Sequence, residues 1–207
     1  IDQKTNIAIV SAINHPDLGA LKRAIESNAQ RKVTVVKPNE IKLLQDYNVL
    51  ILYQPTAVFK TIFDSNKSAG INTFIITGNS TDFNFLNQQQ DHLIFKMSGQ
   101  VEDYSTVYNG QFNLFAVDNI GFESLPPLQN AFGTVTTKGA LSVLLSSKIR
   151  AIDTNSPLLA FAENQGKRAA YLLGENSWKW RLQVHVNNQS FDKYDVFIDK
   201  IIQFLAS

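Results

Sequence analysis

No cysteine stands anywhere in the 207 residues. That absence excludes disulfide scaffolds, thiolate zinc sites, iron–sulfur clusters and every cysteine nucleophile. Histidine is scarce as well: His15, His92 and His185 are widely scattered, and no further carboxylate stands at ligand spacing from the His15–Asp17 pair, so no metal is expected. Only 18% of residues are charged and the net charge is +1, with no basic stripe, which argues against nucleic acid as the partner. No apolar run reaches the ~18 residues that a spanning helix needs. A glycine-rich phosphate loop is missing too, because the first strand runs straight into Asn14-His15-Pro16-Asp17, so no nucleotide or flavin cofactor is expected. What remains is a chain long enough to bury one large core without staples, read as a single domain over 1–207. It opens at Ile1 with no leader-like segment, and the expectation is a piece of a longer chain whose other domains are its partners. Missing cysteine and abundant Asn and Gln suit an oxidising compartment.

The first third alternates strand and helix. Ile7 to Ala12 is a short apolar run without alternation, as in a strand buried on both faces. His15-Pro16-Asp17 opens a helix: proline suits the first turn, and an acidic residue there meets the positive end of the dipole. Lys32 to Val36, Val49 to Tyr53 and Asn72 to Thr77 are further strands, and Val58, Ile62 and Phe63 form the inward face of the helix before the last of them. Strands joined by helices of about a dozen residues imply right-handed crossovers in a parallel sheet. From Ile94 to Lys138 the pattern alternates more, with turn signals at Ser98-Gly99, Asn109-Gly110 and Asn119-Ile120-Gly121, so antiparallel strands at the sheet edge are expected. Glu163 to Lys167 is a hairpin turn, Ser177 is a candidate cap of the next helix, and the chain ends in a helix carrying Tyr194, Phe197, Ile198, Ile201, Ile202 and Leu205.

In an open parallel sheet, ligands bind at the carboxyl ends of the strands. That rule selects His15, Asp17, Gln54, Thr56, Gly78, Asn79, Ser80, Asp82, Glu175, Trp178 and Arg181 as a candidate ligand-binding rim for a small molecule. Each has a plainer reading. Gly78-Asn79-Ser80-Thr81-Asp82 follows a strand as a nucleophile elbow does, and Ser80, an acid such as Asp153 or Glu175, and His185 keep hydrolase order; yet these are the ordinary turn formers, and Asp82 suits a helix cap. Trp178 and Trp180 could stack on a sugar, or one could be core and the other its border. Arg181 could hold an anion or pair with Glu175. Glu102-Asp103 has no partner for acid–base work.

The order of strand, helix headed by His15-Pro16-Asp17, strand, Val49 to Thr56, helix, and strand ending in Thr77-Gly78-Asn79-Ser80 resembles class I glutamine amidotransferase-like proteins. The resemblance implies a three-layer α/β fold with a mostly parallel, flavodoxin-like sheet and antiparallel edge additions. The stretch from Tyr171 to Arg181 is similar to a motif in large bacterial envelope proteins that carry such a domain beside membrane-spanning segments. It implies a periplasmic or cell-envelope place, with membrane contact only through the parent chain. The family's cysteine turn is here Thr77 to Thr81, without cysteine, and its His-Pro-Glu run is replaced by Gly174-Glu175-Asn176. With no thiolate the thioester route to ammonia is closed. The expected function is then a non-catalytic amidotransferase-like module binding a small ligand or protein segment at the rim, with a hydrolase using Ser80, Asp17 or Glu175 as the alternative. Sugar binding or remodelling is a third reading, by fold analogy alone.

Overall fold

The computed structural model describes residues 4–207. Strand β1 (Thr5–Ser11) is buried from Ile7 onward and lies between β2 (Arg31–Val36) and β3 (Val49–Tyr53), parallel to both. Strand β4 (Asn72–Thr77) continues the parallel set, and β9 (Lys167–Leu173) closes it. Between β4 and β9 the chain builds four more strands: β5 (Leu93–Tyr108), β6 (Leu128–Thr137), β7 (Ser142–Ile149) and β8 (Ile152–Asn164). The result is one sheet of nine strands in the order β2-β1-β3-β4-β9-β8-β7-β5-β6.

This corrects the expected fold class. The four pairings from β2 to β9 are parallel and the four from β9 to β6 are antiparallel. The sheet is therefore mixed, not a mostly parallel flavodoxin-like sheet with additions at its edge. β5 pairs with β6 across the long connection between them and with β7 on its other side, and β7, β8 and β9 follow by short hairpins, so the antiparallel strands extend the sheet instead of decorating it.

Helix α1 (Pro16–Glu26) connects β1 to β2, and α2 (Lys60–Ala69) connects β3 to β4. The two crossovers step in opposite directions along the sheet, so right-handedness places the helices on opposite faces. Helices α4 (Ser177–Asn188) and α5 (Asp192–Ala206) pack with α1, while α3 (Phe83–Gln89) joins the α2 side through a Phe63–Phe85 edge contact at 5.7 Å. The core is one cluster reaching from Ile7 to Leu205. Trp180 is fully buried in it, against Phe122 and Phe197, and its indole N–H donates to the Pro126 carbonyl at 2.7 Å, which meets the polar need of a buried tryptophan.

Several local expectations shift. A 3-10 turn at Ala57–Phe59 rotates the start of α2, so Phe59 is buried and Val58 points to solvent. Ser98-Gly99 is no chain reversal but part of an irregularity inside β5, where the register with β6 slips between Met97 and Val101. Ser177 does not cap α4: that position falls to Asn176, and the Ser177 hydroxyl bonds to Tyr194 instead.

At Gly133 the β5–β6 pair closes tightly. A Cβ there would run into the Lys96 carbonyl oxygen and stand 2.6 Å from the Met97 Cα, both of them backbone. Gly133→Ala should lower unfolding free energy by about 1–3 kcal/mol, measured from the urea midpoint. Gly99→Ala, where nothing lies within 4 Å, should leave the midpoint nearly unchanged.

Candidate functional site

The turns after β1, β3, β4 and β9 meet at the carboxyl end of the parallel half, and their polar side chains bond chiefly to one another. Asp17, 1% exposed, lies in the first turn of α1. Its Oδ2 accepts from the Tyr53 hydroxyl at 2.7 Å and the Asn176 N–H at 2.9 Å, and its Oδ1 accepts from the Trp178 N–H at 3.0 Å. The last two donors head α4, whose own cap residue contributes no side-chain bond. A carboxylate from α1 therefore caps α4 from outside, where free N–H groups and the dipole favour negative charge.

Glu175 is held in the same way. Its Oε1 accepts from the Asn79 N–H at 2.6 Å and the Gln54 amide at 3.2 Å, and its Oε2 stands 2.8 Å from His15 Nε2. His15 Nδ1 accepts from the Asp17 N–H at 2.9 Å and so caps α1. That fixes the proton of the neutral ring on Nε2, facing Glu175. The Gln54 oxygen accepts from the Ser80 N–H at 2.6 Å. Gln54 and Asn176 both take left-handed backbone conformations, at φ 49° and 91°, unusual for residues with a Cβ. Backbone bonds in both directions tie Glu175 to Gln129 at the start of β6.

The charges follow from this geometry. Burial pulls the His15 pKa down, but the bond to Glu175 and the charges of Asp17 and Glu175 outweigh it, and the net shift is upward. For Glu175, burial pushes up, while His15, the Asn79 N–H and Gln54 carry the net shift downward. Burial and then Asp17 raise Tyr53 far above its ordinary range, so it remains a donor.

Of the residues selected from sequence, His15, Asp17, Gln54, Asn79 and Glu175 come together, with Gly78 packed among them. A Cβ on Gly78 would stand 2.6 Å from Gln54 and from Glu175 Oε1. The deep rim is filled by the protein's own side chains. Thr56 starts the 3-10 turn before α2, and Asp82 caps α3 by accepting from the Phe85 N–H at 2.9 Å. Ser80 is exposed at the side of the rim, and no histidine bonds to it: His15 faces Glu175, His92 bonds to Tyr171, and His185 lies on Phe191. Arg181 pairs with Asp195, not Glu175, through Nε at 2.9 Å and Nη2 at 3.2 Å. Among the described residues no group of three His, Asp or Glu could hold a metal ion, because the carboxylates here face backbone N–H groups and each other's partners.

Sequence reasoning missed Tyr53 and Asn176. Tyr53 carries a signal in hindsight, being the one hydroxyl in an apolar strand, next to the rim. The left-handed backbone of Asn176 leaves no such mark. Missed as well is a groove of about 380 Å³ beside the rim, between α1 and α4, lined by His15, Gly19, Arg23, Trp178, Arg181 and Leu182 among others.

No family model matches the chain, and no curated protein matches it. Solved structures do. The fold is shared with carbohydrate-active enzymes. A GH42 β-galactosidase superposes over 98% of this chain with a TM-score of 0.56 and 11% identity. An exo-β-1,4-mannosidase from Opitutaceae bacterium strain TAV5 covers 94% at TM-score 0.54 and 9% identity, and a carbohydrate deacetylase covers 98% at 0.56 and 8%. This chain spans 30%, 36% and 32% of those three, about a third of each. The resemblance to class I glutamine amidotransferase-like proteins is thereby corrected: none of these structures is described as one, and the chain has neither the cysteine nor an open elbow. The reading as a non-catalytic amidotransferase-like module goes with it. Among the described residues no helix is long and apolar enough to cross a membrane.

The His15–Glu175 pair sets a pH window. A raised His15 pKa contributes stability fully below its ordinary 6.5, lost as pH rises through the folded value; a lowered Glu175 pKa contributes fully above its ordinary 4.5, lost as pH falls through the folded value. The stability gap between the wild type and His15→Gln should therefore be widest between 4.5 and 6.5 and narrow on both sides, read by denaturant titration across pH. Asp17→Ala strands one hydroxyl and two N–H groups, each worth about 1–3 kcal/mol when left unsatisfied, and should be the largest loss at the rim.

Proposed function

We propose that this chain handles carbohydrate, receiving a saccharide in the groove between α1 and α4. The observation that carries the reading is the superposition of nearly the whole chain on carbohydrate-active enzymes, in each of which it spans about a third of the length. The same proportion supports other domains of a longer chain as its neighbours. The groove has suitable chemistry. Trp178 is half-buried and offers indole surface to the C–H face of a sugar ring, while Arg181, His15 and Arg23 border it with hydrogen-bonding groups. Its walls are fixed. The backbone of Trp178 is anchored through its N–H by Asp17, and the Arg181 guanidinium lies 3.9 Å over the Phe191 ring while Asp195 grips it.

A hydrolytic step is the second reading, favoured by the neighbours being glycosidases and a deacetylase. Both ring nitrogens of His15 are engaged, so this step requires substrate to draw Nε2 away from Glu175. Ser80 has no base and does not serve.

Titration with neutral oligosaccharides, followed by tryptophan fluorescence, tests the proposal. Buried Trp180 gives a constant background and Trp178 the signal. Saturable quenching is expected, and calorimetry on Trp178→Ala, which lacks the reporting indole, should show affinity weaker by up to about tenfold, the size of one lost aromatic contact. No response to either neutral or acidic saccharides would overturn it. Release of nitrophenol from chromogenic glycosides, or of acetate from acetylated sugars, lost in His15→Gln, would add the hydrolytic step.

A further inference from the structure

We propose that the α1–α4 groove selects an acidic saccharide, a hexuronate whose carboxylate is received by Arg23. The inference rests on the carbohydrate reading above and deepens it. No acidic side chain lines the groove, whereas three of its lining residues, His15, Arg23 and Arg181, carry or can carry positive charge. The acids nearby are already occupied. Asp195 binds Arg181, and Asp17 and Glu175 accept from the donors of the rim.

Arg23 is different from the other cations. It is exposed to solvent at the border of the groove, and its side chain makes no ion pair or hydrogen bond among the described residues, so its guanidinium is free to meet an incoming anion. It lies back along α1 over Gly19, where a Cβ would stand 3.0 Å from Nη1. The missing side chain at Gly19 gives the guanidinium its resting place, one helical turn toward His15. Arg181 stands across the groove, with Nε and Nη2 committed to Asp195 and Nη1 without a partner among the described residues. A planar, permanently charged fork suits a carboxylate better than a neutral hydroxyl. The ring that bears the carboxylate would lie against Trp178.

The test compares oligogalacturonates with neutral galacto-oligosaccharides and sulfated galacto-oligosaccharides of the same length, by calorimetry and tryptophan fluorescence. The expected result is binding of the uronate about tenfold tighter than the neutral sugar at low salt, with the advantage shrinking as salt screens the pair. Arg23→Gln should bring the two affinities together by weakening uronate binding more than neutral binding, and Arg23→Lys should keep part of the difference. Gly19→Ala, which pushes the guanidinium off its resting place, should reduce it in a protein whose urea midpoint is otherwise close to wild type. Equal affinity for acidic and neutral sugars overturns the acidic preference and leaves the carbohydrate reading standing. Sulfated sugar binding as well as the uronate overturns the carboxylate assignment. A preference that survives in Arg23→Gln overturns the residue assignment. Failure of all three sugars overturns this inference together with the reading it rests on.

Discussion

The buried carboxylate of Asp17 is the constraint on which the carboxyl end of the sheet depends. Burying a carboxylate costs several kcal/mol unless donors meet its oxygens. Here three donors come from two other segments: the Tyr53 hydroxyl at the end of β3, and the Asn176 and Trp178 N–H groups at the head of α4. Those N–H groups point at Asp17 only because the turn after β9 passes through a left-handed residue at Asn176. The strain of that residue and the desolvation of Asp17 are thus offset by the same contacts. Two helix N-termini, of α1 and α4, share one negative charge. Neither can shift without exposing the other's unpaired donors.

Glu175 carries this constraint into the rest of the molecule. Its side chain reaches back to His15, Gln54 and Asn79, which belong to the turns after β1, β3 and β4. Its backbone pairs with Gln129, where β6 begins. One residue therefore fastens the parallel half of the sheet to the far end of the antiparallel half. Asn130 adds to the seam by donating to Thr77 and to the Leu173 carbonyl. The polar groups that sequence reasoning assigns to a ligand are spent on joining these two halves.

Much of the parallel half was legible because its signals are local. An unalternating run such as Val49 to Tyr53 can be satisfied only between two covered faces, and Pro16 and Asp17 mark a helix start. The antiparallel half was legible as strands but not as half of the sheet, since nothing local in Leu128 to Thr137 says which neighbour it pairs with. At the rim, the residues that meet were recoverable from a general rule about strand ends, whereas what they do was not. His15 and Glu175 lie 160 positions apart, and composition cannot tell a carboxylate that waits for a ligand from one already bonded to three donors. Arg181 shows the same limit: Asp195 lies 14 residues on and takes it, although Glu175 is nearer in sequence. The groove was invisible because it depends on what Gly19 lacks.

The closed rim and the groove beside it are two consequences of one network. His15 and Trp178 form opposite walls of the groove, and both are bonded to Asp17, one to its backbone N–H and the other to its carboxylate. A ligand entering there would meet an imidazole already held and an indole on an anchored stretch of backbone, so less ordering entropy would be lost on binding. Both ring nitrogens of His15 are taken, whereas Trp178 is bonded through its backbone and keeps its indole for a ligand. On the proposed reading, discrimination among ligands would fall to whatever near them is not yet bonded, and at this groove that is the guanidinium of Arg23, with one nitrogen of Arg181 across from it. A rim saturated with its own hydrogen bonds would thus move any recognition sideways, from the strand ends where the fold rule places it to the helix surfaces those strand ends hold still.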